Sequence, residues 1–213
     1  IVVGTAYRYE AAAPTVRRDS ISPDAVDAEL ERLANAVQRA EQELEADRVW
    51  APDALVPDAD AIFEAQALML RDEDVLHAIR QRIQDENEPA VGAVQAVLSA
   101  HRERLEDSGD AHLRTGADDL LALERRLLRA LRRGAAAAHI DAHSVVVAED
   151  LTATDLLRFR RQNLLGGVTA RGGPTSHAAI VAQALGLPLL VGVGEALEAV
   201  SSGDRVIVDG DRG

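Results

Sequence analysis

Hydrophobic residues in the first half of the chain recur at helical spacing. After Ser22, apolar side chains follow at alternating intervals of four and three residues: Val26, Leu30, Leu33, Val37, Ala40 and Leu44. This spacing places them on one side of an α-helix. Ser22, Pro23 and Asp24 are typical of a helix start, since they supply an N-cap, a first-turn proline and an acid at the positive helix end. The pattern predicts a long amphipathic helix that runs to about Trp50.

Shorter periodic segments come next, separated by residues that interrupt helices. Pro52 and Pro57 end the first helix, Pro89 and the pair Ser108–Gly109 mark later boundaries, and Gly134 is typical of a C-terminal stop. The apolar faces between them are Ile62, Ala65, Leu68 and Met69; Val75, Ile79 and Ile83; Val91, Val94, Val97, Leu98 and Leu105; and Leu113, Leu120, Leu123, Leu127, Leu128 and Leu131. The block 20–134 is therefore predicted to be a helical bundle.

The residues after 138 change to short apolar runs alternating with short helices. The predicted strands are Ser144–Ala148, Gly167–Ala170, Leu187–Val191 and Arg205–Val208, and the predicted helices are Thr152–Phe159 and one after Gly173. Residues 1–9 are β-branched and aromatic around Gly4, which predicts another strand. A helical bundle offers that strand no partner, so we place it in the same sheet. The predicted fold is an α/β domain of residues 1–14 and 140–213, interrupted by a helical bundle at 15–139.

Composition narrows the function. With 23 Lys and Arg against 36 Asp and Glu, the net charge of −13 argues against nucleic-acid binding, and 2% aromatic residues leave few rings for base stacking. The absence of cysteine excludes disulfides, thiolate metal sites and cysteine nucleophiles, and it fits a reducing cytoplasm. No apolar run approaches the roughly 20 residues of a membrane span. No signal peptide is visible at Ile1, and we expect the chain to be a fragment of a longer protein.

One segment, between a predicted strand and a predicted helix, combines residues suited to phosphoryl chemistry. Gly172 and Gly173 permit close backbone approach, and Thr175 or Ser176 can cap the helix that begins at His177. A helix start favours an anion such as a phosphoryl group, and a neutral imidazole is a competent nucleophile toward phosphorus. Ile180, Val181 and Leu185 are predicted to anchor this helix. The alternative interpretation is that His177 is a capping or surface residue, which composition alone favours.

The other histidines have plainer interpretations. His77, His101 and His112 lie on predicted helices among charged residues and are interpreted as solvated. His139 and His143, four residues apart with Asp141 between them, could imitate a metal pair, but they fall in a predicted loop and we discount them. We predict no metal site in this chain.

The run GGPTSHAAIVAQALGLPLLVGVG, residues 172–194, resembles the active-site signature of a known family. The signature belongs to the phosphohistidine domain shared by enzyme I of the phosphoenolpyruvate:sugar phosphotransferase system, pyruvate phosphate dikinase and phosphoenolpyruvate synthase. Residues 148–155, AEDLTATD, are similar to the family's "DLTPSD" helix start, and residues 62–72, IFEAQALMLRD, to its "IFEGHIMLLED" stretch. The helical insertion ahead of the motif resembles enzyme I and its close paralogues.

The resemblance implies a phosphotransferase mechanism. In enzyme I, a C-terminal barrel binds phosphoenolpyruvate and magnesium and phosphorylates the active histidine, and the helical subdomain docks the phosphocarrier HPr. The matching nucleophile is His177, Thr175 matches the threonine beside it, and Gly172 and Gly173 match the glycines of the turn. Ser176 and Arg171 are further candidates for binding the phosphoryl group. The barrel's motifs are absent from these 213 residues, so we expect the chain to hold and pass a phosphoryl group without drawing one from phosphoenolpyruvate.

Three departures from the family pattern affect the choice of partner. Ala170 stands where the family often has Asp, Gly116 replaces an arginine used against the carrier, and a lysine of some relatives falls at Ala59. They favour a diverged paralogue. The alternatives are therefore a phosphotransferase subunit of dihydroxyacetone kinase or a multiphosphoryl fusion protein, and a non-catalytic sensor of the phosphoryl state.

Overall fold

The computed structural model describes residues 1–9, 20–50, 59–107, 111–132 and 140–210. They form two compact units. Residues 1–9 and 140–210 belong to an α/β unit, and the other described residues belong to a helical unit. The predicted domain boundary 14/15 falls outside the described ranges, and 139/140 falls where a described range begins, so both stay predictions. The turn at 108–109 and the stop at Gly134 also lie outside the described residues and stay predictions.

The helical unit contains the five predicted helices. They are α1 (Val26–Trp50), α2 (Ala59–Leu70), α3 (Glu73–Asp85), α4 (Ala90–Asp107) and α5 (Ala111–Leu131). The predicted start is confirmed in its positions, with Ser22 as N-cap, Pro23 in the first turn and Asp24 behind it, but the first turn is a 3₁₀ turn (Pro23–Ala25) that runs into α1. The Ser22 hydroxyl makes no capping hydrogen bond there. Asp72 does cap α3, accepting hydrogen bonds from the N–H groups of Asp74 and Val75 at 2.9 and 3.2 Å.

The predicted apolar seams form a common core. Leu33, Ile79, Leu98, Leu123 and Leu131, from α1, α3, α4 and α5, are each at most 2% exposed. Burying a leucine or isoleucine side chain contributes about 1.5–3 kcal/mol, so this seam is the main stabilising feature of the unit.

One ion pair on α1 joins the ends of two other helices. Glu29 accepts the N–H of Ala90 at the start of α4 at 2.8 Å, and Arg32 donates to the carbonyl of Leu131 at the end of α5 at 2.7 Å. Glu29 and Arg32 also pair with each other at 3.0 Å. A carboxylate at a helix start and a guanidinium at a helix end both complement the helix dipole, so the pair fixes both ends.

Several polar side chains are buried inside the bundle, among them Arg126, Asp47 and Glu124. Arg126 is 1% exposed and pairs with Asp47 at 2.9 Å, linking α5 to α1. Glu124 is also buried, and one of its oxygens accepts a hydrogen bond from Ser99 at 3.4 Å. Burial raises the pKa of the Glu124 carboxyl above its ordinary value, against the opposing attraction of Arg102.

The α/β unit is built on one five-stranded sheet. Its strands are β1 (Val2–Tyr9), β2 (Ser144–Ala148), β3 (Gly166–Thr169), β4 (Leu189–Leu190) and β5 (Arg205–Val208), in the order β4-β3-β2-β1-β5. The first four are parallel, and β5 runs antiparallel to β1. The placement of the first strand beside the late ones is confirmed, with Thr5 opposite Ser144. The α/β plus α fold class is therefore confirmed.

Two predicted strands differ in their bounds. β3 begins and ends one residue earlier than predicted, and β4 is limited to Leu189 and Leu190. Leu187 does not join the strand because its N–H donates to the carbonyl of Ala182 in the preceding helix at 2.8 Å. Two short helices, α6 (Ala153–Arg160) and α7 (His177–Ala184), pack against each other.

Candidate active site

The predicted site loop leaves the sheet at the carboxyl end of β3. Parallel strands bring their carboxyl ends to one edge, which is where open α/β sheets usually bind ligands. Two backbone hydrogen bonds tie the start of the loop to the end of β2: Ala170 N–H donates to Ala148 O at 3.1 Å, and Arg171 N–H to Glu149 O at 2.8 Å. The loop therefore starts from a fixed point on the sheet.

The glycine turn has the backbone freedom that its sequence predicts. Gly172 has φ +99°, a conformation that strains any residue with a Cβ atom. A Cβ added at Gly173 would meet nothing within 4 Å, so the space beside the turn is open. The carbonyl oxygen of Gly172 also lies only 3.2 Å from the Cβ position of Gly192 in the loop after β4. The two loops therefore approach each other closely.

His177 is the first residue of α7. Ser176 is the N-cap, and its hydroxyl accepts the N–H of Ala179 at 3.3 Å, while its own N–H donates to the carbonyl of Gly173 at 3.1 Å. The choice of cap that the sequence left open is thus settled in favour of Ser176, and Thr175 is exposed. His177 is partly exposed at the end of the helix where the dipole is positive.

The buried face of α7 differs from the prediction. Ala178, Val181 and Ala182 are buried at 6%, 1% and 1% exposure, whereas Ile180 is 41% exposed. The predicted anchoring role of Ile180 is wrong, because the small residue beside His177 faces the protein instead. Leu185 is only partly buried.

Arg171 lies directly before the glycine turn and forms an ion pair. Its guanidinium contacts the carboxylate of Glu149 at 2.9 Å, and both side chains are about three-quarters exposed. An exposed pair of this kind contributes little to stability. It leaves a cation next to Gly172 whose partner can be exchanged for another anion.

Sequence reasoning missed Thr169, the last residue of β3. Its side chain is 2% exposed, and its hydroxyl donates to the carbonyl oxygen of Arg171 at 2.6 Å. A single threonine at a strand end carries no recognisable signal, because the contact depends on how the chain turns after the strand.

The remaining candidates do not gather at this site. His77 is exposed on α3, His101 is partly buried on α4, and His143 is exposed with φ +70°. His139 and the side chain of His112 lie outside the described residues. Within the described ranges, no group of three or more His, Asp or Glu could hold a metal ion. Nor does any described helix have the length and apolar character needed to cross a membrane.

The three departures from the family pattern are distributed over both units. Ala170 is partly buried in the site loop, and Gly116 lies on α5, where an added Cβ would contact the Leu105 side chain at 3.4 Å. Ala59 is the first residue of α2, and its side chain is outside the described part of the chain. Of these three, Ala170 bears directly on the site loop.

Comparison with known proteins agrees with this architecture. Residues 1–115 match the family described as "PEP-utilising enzyme, N-terminal", and residues 140–213 match "PEP-utilising enzyme, mobile domain". The chain belongs to the PEP-utilising enzymes. The site loop and His177 lie within the part that matches the mobile domain.

Individual relatives point to one branch of these PEP-utilising enzymes. The phosphoenolpyruvate-protein phosphotransferases of Geobacillus stearothermophilus and Priestia megaterium are 35% and 33% identical over 99% of this chain, which spans 36% and 37% of their lengths. The corresponding protein of Haloferax volcanii is 38% identical over 85% of the chain, which spans 32% of it. The chain thus spans about a third of the curated relatives it matches.

Solved structures give the same result. A solution NMR structure of Enzyme I matches with a TM-score of 0.70 and 29% identity, covering 98% of this chain and 85% of that one. The N-terminal domain of "Enzyme 1 - Nitrogen" matches with a TM-score of 0.69, covering 100% and 87%. The resemblance to enzyme I inferred from the sequence motifs is confirmed.

Proposed function

We propose that this chain carries a phosphoryl group on His177 and exchanges it with an HPr-type phosphocarrier, as the N-terminal part of a phosphoenolpyruvate-protein phosphotransferase. One observation carries the proposal. His177 is the first residue of a Ser176-capped helix that follows a glycine turn at the carboxyl edge of the sheet. The family match and the names of the relatives support the same activity.

The reaction needs a nucleophile, an anion-binding site and an in-line approach. A ring nitrogen of His177 forms a bond to phosphorus while the bond between phosphorus and the carrier's histidine nitrogen breaks, and the reverse step returns the group. An unprotonated imidazole supplies the electron pair. Phosphoryl transfer depends mainly on positioning and charge stabilisation, so a glycine turn and a helix start suit the task.

The surrounding residues have separate roles in this proposal. The turn at Gly172 and Gly173 admits the phosphoryl group close to the backbone, and the start of α7 offers N–H groups to its oxygens. Ser176 holds that helix start by capping Ala179. Thr175 is exposed beside His177, and its hydroxyl either accepts the ring N–H of His177 or donates to the phosphoryl oxygens. Arg171 exchanges Glu149 for the phosphoryl group.

The phosphoryl donor belongs to another part of the protein. We assign phosphoenolpyruvate binding, together with magnesium, to a C-terminal barrel outside these 213 residues. The greater length of the phosphoenolpyruvate-protein phosphotransferases supports this assignment. We assign no bound cofactor to the present chain, and a cysteine-free composition supports a cytoplasmic location.

We assign carrier docking to the helical unit, near its short second and third helices. Leu68 on α2 is 67% exposed, which is unusual for a large apolar side chain and suits a protein contact. A cleft of about 390 Å³ between α1 and α2 has Phe63 and Leu44 in its lining, with Glu41, Glu45 and Glu64 around them. Arg71 and Arg48 also line it and pair with Glu41 and Glu45, so a basic carrier face would compete with these two arginines for the carboxylates. Carboxylates at a docking surface would attract a basic carrier face. Crosslinks from a carrier that map only to 144–208 would contradict this assignment.

Two alternatives keep the same fold. A phosphotransferase subunit of dihydroxyacetone kinase, or a multiphosphoryl fusion protein, would use His177 with a different carrier. A sensor would bind a regulator through the helical unit and use the phosphoryl state only to change affinity. The changes at Ala59, Gly116 and Ala170 favour these alternatives over a housekeeping enzyme I, whereas the intact loop around His177 disfavours the sensor.

Reverse transfer tests the proposal. We expect a phosphorylated HPr-type carrier to give acid-labile phosphate on the wild-type chain and none on His177→Ala. His77→Ala is the matched control, since His77 is exposed on another helix and should keep full labelling. An Arg171→Ala variant should label more slowly. Unfolding free energy should change by less than about 0.5 kcal/mol in His177→Ala, because the residue is partly exposed.

The pattern of labelling decides among these functions. Equal labelling of wild type and His177→Ala would exclude His177 as the acceptor. Labelling from the dihydroxyacetone kinase carrier alone would favour the kinase subunit. Failure with both carriers would favour the sensor.

A further inference from the structure

We infer that Thr169 is a positioning residue that sets the path of the loop leading to His177. The inference rests on the proposed function of His177 for its catalytic consequence, although the contact itself is a feature of the fold. Thr169 closes β3 and is 2% exposed, so its hydroxyl has no access to bulk water. Burying a hydroxyl group costs free energy unless the group makes a hydrogen bond.

The hydroxyl of Thr169 has one close acceptor. It lies 2.6 Å from the carbonyl oxygen of Arg171, two residues further along the chain, and 3.5 Å from the carbonyl oxygen of Leu190 on β4. Since a hydroxyl carries a single proton, the shorter contact is the hydrogen bond that it donates. The side chain thus fixes the carbonyl of the residue directly before Gly172.

Backbone N–H groups of the loop after β4 also hydrogen-bond the carbonyls of residues 169–171. The N–H of Gly192 donates to the same Arg171 carbonyl at a longer 3.4 Å, and the N–H groups of Val193 and Gly194 donate to the carbonyls of Thr169 and Ala170 at 3.1 and 3.0 Å. The Thr169 hydroxyl therefore supplies the shorter of these two hydrogen bonds to the Arg171 carbonyl. Removing it leaves that carbonyl with a weak contact from Gly192.

The fixed carbonyl controls the conformation of the glycine turn. The Arg171 carbonyl belongs to the peptide group that joins Arg171 to Gly172, where the chain reverses with φ +99°. The carbonyl of Gly173 then accepts the N–H of the cap residue Ser176 at 3.1 Å. A rotation of that peptide would move the turn and, with it, the start of α7. In-line transfer is sensitive to displacements of about 1 Å, so looseness here should slow the reaction without altering carrier binding to the helical unit.

The test removes the hydroxyl and then restores it. Thr169→Val keeps the shape of the side chain and loses the hydrogen bond, whereas Thr169→Ser keeps the hydroxyl. Thr154→Val is the matched control, because Thr154 is another buried threonine of the same unit, on α6. Two readouts are needed, namely amide hydrogen exchange of residues 171–177 and the rate of His177 phosphorylation by phosphoramidate. In the latter, the phosphorus–nitrogen bond of phosphoramidate breaks, ammonia leaves, and a His177 nitrogen takes its place on phosphorus.

We expect Thr169→Val to increase the rate of amide hydrogen exchange at residues 171–177 about tenfold and to decrease the rate of His177 phosphorylation about tenfold. Both changes follow from the loss of one buried hydrogen bond. Exchange in β2 should not change, and Thr169→Ser and Thr154→Val should resemble the wild type in both readouts. Unchanged loop exchange in Thr169→Val, or equal loss in Thr169→Ser, would overturn the inference. If neither phosphoramidate nor a phosphorylated HPr-type carrier labels His177 in the wild type, the proposed function fails, while the exchange experiment still decides the role of Thr169.

Discussion

The helical unit and the α/β unit use their polar side chains differently. In the helical unit, arginines pair with carboxylates on the same or neighbouring helices, as Arg71 does with Glu41, and most of these pairs are exposed. Around the site loop of the α/β unit, side-chain hydroxyls bond to the backbone: that of Thr169 donates to the carbonyl of Arg171, and that of Ser176 accepts the N–H of Ala179. The ion pairs lie on the surface of helices whose paths are set by apolar packing. The hydroxyl–backbone hydrogen bonds set the path of the site loop itself.

This difference explains where the sequence is informative. A surface ion pair contributes at most about 1 kcal/mol to stability and can be replaced by many others, so the exposed charges of the helical unit restrict its sequence very little. A turn that needs φ near +99° at Gly172 and a cap at Ser176 restricts each position to few residue types. The motif that identifies the family therefore lies in the α/β unit.

The buried pair Arg126–Asp47 is the exception in the helical unit, and breaking it should have the largest effect on stability. We expect Arg126→Met to lower the unfolding free energy by about 3 kcal/mol, because Asp47 would remain largely buried without this cation. Arg48→Met is the control, since its pair with Glu45 is exposed to solvent and should contribute far less to the unfolding free energy. Urea denaturation of both variants measures the two losses of unfolding free energy. Equal losses would show that the buried pair contributes no more to stability than the exposed pair.

Substitutions of Ser176 test whether its effect on stability as the N-cap of α7 can be separated from its effect on phosphoryl binding. Ser176→Ala should cost about 1 kcal/mol through loss of the N-cap and should slow His177 phosphorylation. Ser176→Asp should recover most of the stability, because aspartate is also a good cap, but its charge should repel the phosphoryl group and slow labelling further. Denaturation midpoints and labelling rates check the two effects, and full activity of Ser176→Asp would contradict an anion site at this helix start.

Replacing Glu124 should have a smaller effect on the unfolding free energy than the changes above, and that effect should depend on pH. Burial raises the pKa of this carboxyl in the folded state above the unfolded value of 4.5, so the folded protein holds the proton more tightly. The stability linked to this group is complete below the unfolded pKa and is lost as pH rises through the folded pKa. Glu124→Gln should therefore flatten that decline and raise stability at pH 7 by less than about 1 kcal/mol.

Glu45 provides the contrast for the pH measurement. A hydrogen bond from Arg48 lowers the pKa of this exposed carboxyl, so its contribution is present above the unfolded pKa and is lost as pH falls through the folded pKa. Unfolding measured from pH 8 down to about pH 2 should show the two variants, Glu124→Gln and Glu45→Gln, changing the profile in opposite directions. A parallel change would contradict the assigned burial of Glu124.

Local patterns predict most of the fold. Apolar spacing predicts the helix from Val26 to Trp50, and the β-branched first segment predicts a strand that indeed pairs with Ser144–Ala148. The sequence also predicts the turn and helix start around His177. Where the prediction fails, a longer-range contact decides, as when the Leu187 N–H bonds to Ala182 and shortens the last parallel strand.

Contacts between distant parts of the chain could not be predicted. Arg126 and Asp47 are 79 positions apart, and nothing in the spacing of either helix indicates that they meet. Thr169 is close in sequence to His177, yet its hydroxyl contact depends on the conformation of the peptide that precedes Gly172. The catalytic roles proposed for Thr175, Ser176 and Arg171 depend likewise on a bound phosphoryl group, and labelling experiments must decide them.

The internal position of β1 in the sheet has a consequence for how the protein is made. This strand lies between β2 and β5, and its residue Thr5 pairs with Ser144, 139 positions later. Ribosomes release the chain from its N-terminus, so all the residues of the helical unit emerge before the first partner of β1 does. During that interval both hydrogen-bonding edges of β1 are open to neighbouring nascent chains. Closing so long a loop is slow, and we expect sheet assembly, rather than bundle formation, to limit the yield of folded protein.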